Sequence, residues 1–398
     1  MKKILFVMNT MGRAGAEKAL LELLKRIDKT KYEVSLYVLT GQGELINDAP
    51  EGVRLLNKKT LPVSVHSGEG RQILMKTSLK MLLTRFNLLR LVPYFTVNTV
   101  KMIISRNFHL EKLLWRAYSE GANRFDKRYD LAVSYIEGAA AYYVADHVKA
   151  DKKVAFIHVD YKKSGYTRAL DKDCYLNFDR VFAVSGEVKD VFTTVYPELI
   201  NRTEVFHNLI DVEGIRKKAE EGEGFTDGFN GVRLLTVGRL MAQKSFETSI
   251  KACSLLKKHG ENVRWYVLGE GDQRAKLEAL IARLGLKNDF ILCGAVDNPY
   301  PYFKNADIYV HCSQFEGKSI AVQEAQVLGK PIIVSDCSGN REQVIPGVDG
   351  MICVFEPKKI AKAIYELIHN AEKREMFSQN AFTKNDTEEE IIGRLLEI

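Results

Sequence analysis

The chain has 398 residues, 46% hydrophobic and 27% charged, with a formal net charge of +7. That length exceeds one ordinary core and implies two domains of roughly 200 residues, and the composition excludes a disordered or low-complexity chain. No apolar run approaches about 18 residues, which argues against a membrane-spanning helix, and six cysteines without a CxxC pair read as buried, reduced thiols of a cytosolic protein rather than a zinc or disulfide framework.

In chain order, Lys3–Met8 reads as a first strand, because the apolar run Ile4–Met8 is too short for a secretory leader and a glycine-bearing turn follows. An amphipathic helix is predicted over Ala16–Ile27, a strand over Tyr32–Leu39, and further strands at Leu131–Tyr135, Lys153–His158 and Val181–Val184. The rhythm then restarts, with strands at Arg233–Val237, Arg264–Leu268, Phe290–Cys293, Asp307–Cys312 and Pro331–Ser335 and helices at Phe246–Lys258, Gln273–Leu284 and Ser319–Leu328. Short β-rich runs alternating with helices are the pattern of parallel sheets covered on both faces. The charged, glycine-rich stretch Glu213–Gly231 reads as a boundary, with a hinge near His207–Asp211. The expected architecture is therefore α/β: two Rossmann-like doubly wound domains, 1–207 and 208–380, facing across a cleft at the carboxyl ends of both sheets, where such sheets bind ligands. Residues 381–398 are expected as a C-terminal helix returning to the first domain.

Four motifs fall at those carboxyl ends. In the loop Asn9–Glu17, Gly12 and Gly15 let the backbone approach a ligand while the following helix offers unpaired N–H groups; the plain alternative is a strand-to-helix turn. After Gly238, Arg239 and Lys244 share one βα loop, a fork and a point charge suited to a diphosphate, against the alternative of two solvated cations. In Phe315–Glu324, Glu316 lies in a glycine-containing loop and Glu324 in a helix, eight positions on. Eight helical residues rise about 12 Å, so the two carboxylates address different parts of a long ligand rather than one proton. The helix opening at Gly317, Lys318, Ser319 and Ile320 offers N–H groups to sugar hydroxyls or phosphate; a glutamate placed to meet the helix dipole is the alternative. His158 ends a strand and would point into the cleft, although a lone histidine is more often structural.

From Arg71 to Tyr118 there are nine Lys or Arg and a single acid, Glu111, enough to account for the net charge of the whole chain. Leucines, isoleucines and phenylalanines interleave with these cations at roughly helical intervals. Two readings fit: amphipathic helices lying on an anionic membrane surface, or helices covering the first sheet with a solvated basic face. Nucleic acid is not an expected partner, since no recognition module is present.

The ordered strings GRL…K, LGEGDQR and ADIYVHCSQFEGKSIAVQEAQVLGKPIIVSD, continued by Gly339, Glu342 and Gly350, resemble glycosyltransferase family 4, which has the GT-B fold. The resemblance is strongest from Leu234 to Gly350 and weak from Gly43 to Asn123. It implies a metal-independent, retaining hexosyltransferase without a cofactor. In the family, the pair matching Arg239 and Lys244 binds the donor diphosphate, and the position matching Glu316 contacts the transferred sugar and helps catalysis. The position matching Glu324 holds the ribose. The backbone matching Lys318, Ser319 and Ile320 meets sugar and phosphate, and the loop matching Gly294–Val296 lines the base. The loop matching Gly12–Gly15 approaches the phosphates from the other domain, and the histidine matching His158 faces the donor sugar. The family often carries an aromatic residue and a proline after the Glu-Gly pair, where this chain has Lys318 and Ser319. No DxD motif is positioned to hold a divalent ion.

The expected function is transfer of a hexose or N-acetylhexosamine from a nucleotide sugar, UDP-linked, to a cell-surface glycan or lipid-linked acceptor, in the cytoplasm or on the inner face of the cell membrane. A GT-B nucleotide-sugar epimerase is disfavoured by the Glu-x7-Glu arrangement. A non-catalytic glycan- or membrane-binding protein is disfavoured by the joint presence of Arg239, Lys244, Glu316 and Glu324.

Overall fold

The structure, a computed structural model, describes residues 1–65, 67–84, 87–106, 108–381 and 388–397. The chain divides into two compact units, Met1–Leu209 with Thr387–Ile398, and Ile210–Asp386.

Unit 1 is built on β1 (Lys2–Met8), β2 (Tyr32–Val38), β3 (Val53–Leu55), β4 (Tyr129–Ser134), β5 (Ala150–Ile157), β6 (Arg180–Ala183) and β7 (Thr203–Val205). They form one sheet in the order β3-β2-β1-β4-β5-β6-β7, with every pair parallel. Its helices are α1 (Gly15–Arg26), α2 (Gly68–Leu83), α3 (Asn87–Ser105), α4 (Leu110–Gly121), α5 (Ala139–His147), α6 (Arg168–Asp171) and α7 (Gly186–Val195). Parallel strands need crossovers, and the crossover helices cover both faces, so β1 carries an unbroken buried run from Ile4 to Met8 rather than an alternating one.

Unit 2 repeats the plan with β8 (Val232–Val237), β9 (Val263–Leu268), β10 (Phe290–Gly294), β11 (Ile308–His311), β12 (Ile332–Ser335) and β13 (Gly350–Cys353). The order is β10-β9-β8-β11-β12-β13, again parallel throughout. Its helices are α8 (Val212–Ala219), α9 (Phe246–Lys258), α10 (Arg274–Arg283), α11 (Tyr300–Asn305), α12 (Ile320–Val327), α13 (Ser338–Gln343), α14 (Pro357–His369) and α15 (Ala371–Ala381). One apolar layer, around Trp265, Ile250 and Ile364, lies on one face of this sheet, and a second, around Tyr309, Phe303 and Val322, on the other. Helix α16 (Glu388–Leu396) follows.

The two doubly wound parallel sheets are the expected α/β architecture. The differences are local. The stretch read as a boundary, Glu213–Gly231, begins with α8, which Asp211 caps by accepting from the Gly214 N–H at 2.8 Å. Its apolar positions are few, Ile215 and Ala219, so no helical period shows in the sequence. Strands β3 and β7 have three residues each, too few for a period-2 signal.

In each sheet the strand order reverses once, at β1/β4 in unit 1 and β8/β11 in unit 2. Crossovers diverge there and leave an opening at the carboxyl ends of the two central strands. Beside the first of these points, the chain after β1 is held by the 42–45 loop: Met11 N–H donates to Gln42 O at 2.9 Å, and Leu45 N–H to Met11 O at 2.8 Å. Gly43 makes this approach possible. Its φ is +137°, and a Cβ there would lie 2.2 Å from the Met11 carbonyl carbon and 2.7 Å from the Gly12 nitrogen. Gly43→Ala is therefore expected to destabilise unit 1 by about 2 kcal/mol or more by displacing the Met11–Gly12 backbone. Urea denaturation of the purified variant measures this, and a change within experimental error would show that the contact does not hold the loop.

Candidate active site

In unit 2, the loops leaving β8 and β11 are laced together across the point where strand order reverses. Gln314 N–H donates to Gln243 O at 2.9 Å, Gln243 Nε2 to Phe315 O at 2.7 Å, and Gln314 Nε2 to Ser245 Oγ at 2.9 Å. Beneath them, Ser335 Oγ accepts from Ser313 N–H at 2.8 Å and donates to Ser313 O at 2.7 Å. This lacing brings Lys244, at the end of a short 3-10 turn after β8, against Glu316, in the loop after β11. The Lys244 stem passes over Gly238, with Cε 3.7 Å from where a Cβ would stand.

Lys244 Nζ forms an ion pair with Glu316 Oε1, and the same oxygen lies 3.0 Å from His311 Nε2. Tyr309 OH is 3.2 Å from His311 Nδ1, while Glu316 and His311 are almost fully buried. Burial by itself would raise the Glu316 pKa, but the Lys244 charge and the hydrogen bond from His311 outweigh it and hold the carboxyl well below its ordinary value. For His311, burial and then the Lys244 charge lower the pKa below 6.5, against the opposing pull of Glu316. A neutral ring follows, with Nε2–H donating to Glu316 and Nδ1 accepting from Tyr309 OH. Glu316 is thus an ionised carboxylate at neutral pH, a good acceptor and a poor proton-abstracting base.

Around this centre, Arg239 is exposed immediately after β8, and Glu324 is buried in α12 with its Oε1 3.0 Å from Tyr300 OH. Gly294 closes β10 at a φ of +82°, and Val296 is half-buried two residues on. Gly317, Lys318 and Ser319 precede α12, which begins at Ile320. The Ser319 N–H does not stand open to a ligand: it donates to Gln343 Oε1 at 2.7 Å, and Gln343 Nε2 donates back to Ser319 O at 2.9 Å. That clamp corrects the expectation for the Ser319 amide, whose donor is already engaged. A second close approach supports it, because a Cβ on Gly339 would lie 1.5 Å from the Gly317 carbonyl oxygen.

Unit 1 has its own cluster at the β1/β4 reversal. Asn9 Nδ2 donates to Glu137 O at 3.0 Å and Asn9 Oδ1 accepts from Ala140 N–H at 2.8 Å, tying the ends of β1 and β4 together. Glu137 Oε2 accepts from the His158 backbone N–H at 3.0 Å, adding the end of β5. Burial raises the Glu137 pKa. The His158 ring packs 5.1 Å from Tyr135, its Nε2 is covered without a hydrogen-bond partner, and burial lowers its pKa to about 4, so it is a neutral imidazole. Gly15 opens α1, whose cap residue Ala14 supplies no side-chain acceptor. Gly12 is flanked by carboxylates: Glu44 Oε2 and Glu17 Oε1 lie 3.6 and 3.9 Å from where a Cβ would stand.

The sequence reading missed His311, Gln243, Gln314, Gln343 and Tyr300 in unit 2 and Asn9 and Glu137 in unit 1. Each acts through side-chain contacts that strand and loop patterns do not encode. A histidine interrupting the buried run Ile308–His311 was the one legible signal. Among the described residues, no group of three or more His, Cys, Asp or Glu is placed to hold a metal ion.

Residues 230–384 match the family model described as "Glycosyl transferases group 1". An uncharacterized glycosyltransferase of Methanocaldococcus jannaschii is 28% identical over 196 residues, 47% of this chain and 48% of that protein. An N-acetylgalactosamine-N,N'-diacetylbacillosaminyl-diphospho-undecaprenol 4-alpha-N-acetylgalactosaminyltransferase of Campylobacter jejuni is 34% identical over 142 residues, 35% of this chain and 37% of that one. The chain spans about half the length of the curated relatives it matches. Among solved structures, Anabaena HepE in complex with UDP-glucose superposes with a TM-score of 0.69 at 17% identity, covering 100% of this chain and 99% of that one. The fold is that of the GT-B glycosyltransferase structures on which the chain superposes, and residues 230–384 match the glycosyl transferases group 1 model.

The depressed Glu316 pKa has a thermodynamic consequence. A carboxyl whose pKa is lower in the folded than in the unfolded chain contributes stability that is present above its ordinary value of 4.5 and is lost as pH falls through the folded value. In Glu316→Gln that contribution is absent, so the fall in stability on acidification below about pH 4.5 should be shallower than in the unaltered protein. Urea melts between pH 7 and pH 3 read this out, and parallel curves would show that Glu316 is not ion-paired in solution.

Proposed function

We propose that the protein transfers a hexose or N-acetylhexosamine from a UDP-sugar to a cell-surface glycan or lipid-linked acceptor, with retention of configuration and without a metal or other cofactor. The observation that carries this reading is the buried Lys244–Glu316–His311 cluster at the β8/β11 reversal, with Arg239 on the same loop as Lys244. The solved complexes of Anabaena HepE with UDP and UDP-glucose and of Staphylococcus aureus TarM with UDP support a UDP-linked donor. The Campylobacter relative, named for a diphospho-undecaprenol-linked substrate, supports a lipid-linked acceptor.

In this reading unit 2 holds the donor. Arg239 and Lys244 neutralise the diphosphate, Glu324 takes the ribose hydroxyls beside Tyr300, and Gly294–Val296 line the base. The backbone of Gly317, Lys318 and Ile320 meets sugar and phosphate. In unit 1, Gly12 and Gly15 are proposed as donor-binding residues and His158 as a catalytic one, and in unit 2 Glu316 is proposed to contact the transferred sugar. The bond from the anomeric carbon to the diphosphate oxygen breaks, a bond to the acceptor oxygen forms, and the acceptor's proton passes to the departing diphosphate. Glu316, ionised and hard to protonate, stabilises positive charge on the sugar rather than acting as the base. The carboxylates beside Gly12 suit sugar hydroxyls better than phosphate. The setting proposed with this activity is the cytoplasm or the inner membrane face, a reducing compartment that suits six free thiols.

Glu316 and a donor diphosphate compete for the same Lys244 ammonium, which separates two variants. Lys244→Ala should weaken UDP binding by about 10- to 100-fold, since it removes a charge-assisted contact and leaves Glu316 uncompensated. Glu316→Gln should bind UDP as well as or better than the unaltered protein while losing about 100-fold or more in turnover with the UDP-sugar it uses. Calorimetry with UDP and an assay of donor hydrolysis or transfer across a panel of nucleotide sugars test both. Unchanged UDP affinity in Lys244→Ala would remove the diphosphate role.

A further inference from the structure

Helix α3 is apolar on both faces: its buried stripe, Asn87, Leu91, Tyr94, Asn98 and Met102, packs Leu91, Tyr94 and Met102 against Leu113, Ala117 and Leu170, and its solvent side carries a second set of aliphatic residues. At 3.6 residues per turn, Leu89, Val92, Val97, Val100, Ile103 and Ile104 form one stripe directly opposite the buried one. Leu89 is 71% exposed and Ile104 77%. Helix α2 adds a second stripe at helical spacing, with Met75, Leu79 and Leu83 all more than half exposed.

The inner face of α3 is committed to unit 1. Tyr94 OH donates to the Leu170 carbonyl of α6 at 3.1 Å, and Asn87 Nδ2 donates to Met81 O of α2 at 3.0 Å. The outer face is therefore not the misplaced core side of a helix that rotation would bury. Water-facing aliphatic surface of this extent marks an interaction site. The charges select its partner. From Gly70 to His109 every formally charged residue is Lys or Arg. Arg90 and Lys101 lie on one border of the α3 stripe, where long cationic side chains reach phosphate while their stems cover apolar surface.

We propose that the outer face of α3, with the exposed stripe of α2, docks onto an anionic lipid bilayer, the helix axis lying in the plane of the headgroups. Among the described residues no helix is long and apolar enough to cross a membrane, so the proposal is of surface docking and not of a span. The two signals needed for firm attachment are both present, inserted aliphatics and a cationic border. The surface also leads to the unit 1 cluster. Exposed Phe108 follows α3, and the next residue, His109, packs against Gly165, where a Cβ would lie 2.1 Å from its ring. Gly165 is in the loop that follows β5 and His158. The bilayer face thus borders the loop that carries a proposed catalytic residue, and the acceptor it serves is one anchored in the lipid. This last step rests on the transferase reading, while docking itself does not.

The test is co-sedimentation of the full chain with vesicles of phosphatidylcholine alone or containing phosphatidylglycerol, at low and high salt, without donor or acceptor. Binding is expected to the anionic vesicles, weaker to neutral ones and reduced by salt. The double variant Leu89→Glu, Ile104→Glu should bind about tenfold or more weakly while its thermal unfolding is unchanged. Arg90→Gln with Lys101→Gln should lose the preference for anionic lipid with the same unfolding. No binding to anionic vesicles, or equal binding by the Leu89/Ile104 variant, overturns the proposal and leaves the transferase reading standing. So does sedimentation velocity showing a dimer that the same variant dissociates, since a second copy would then cover the face.

Discussion

A carboxylate can be buried in a protein interior only if positive charge and hydrogen bonds accompany it. Glu316 meets that requirement with the Lys244 ammonium on one side and the His311 imidazole on the other, and much of the local architecture of unit 2 follows from it. Lys244 and Glu316 lie on loops from strands adjacent in the sheet but far apart in sequence. They meet because Gln243 and Gln314 lace those loops together and because Ser335 holds the turn at Ser313 from below. In the proposed reaction the same pairing is a store of positive charge: a diphosphate attracts Lys244, and His311 remains as the neighbour of Glu316.

Both units place their polar clusters at the reversal of strand order, yet the clusters differ in electrostatic character. In unit 2 a cation and an anion are paired in a buried setting. In unit 1, His158 is neutral, burial raises the Glu137 pKa, and carboxylates stand beside Gly12. Asn9 acts there as a strut between strands, and Glu137 holds the His158 backbone in place.

The α2–α3 surface is governed by a third physical term, apolar area left in water. On the buried side of α3, Asn87 Nδ2 donates to Met81 O and Asn98 Nδ2 to Tyr94 O, while the aliphatic stripe lies on the opposite side. The aliphatic stripe stands in water in this structure, and the uniform positive charge of the segment bears on which partner would cover it.

Periodicity and turn chemistry in the sequence were enough to determine two α/β units, most of their strands, the positions of Arg239, Lys244 and Glu316 in loops that follow strands, and that of Glu324 in a helix, because those signals are local. Tertiary structure alone decided that Lys244 and Glu316 share a proton-poor, buried ion pair with His311, that Gln343 occupies the Ser319 amide, and that Glu137 reaches the His158 backbone. These depend on pairs 21 to 72 residues apart in sequence, and no composition or spacing rule specifies the register at which distant loops meet. The same holds for α3. Its apolar periodicity was visible, but which of its two apolar faces turns inward depends on contacts with α2, α4 and α6: the packing of Leu91, Tyr94 and Met102 against Leu113 and Leu170, and the hydrogen bonds of Asn87 and Tyr94.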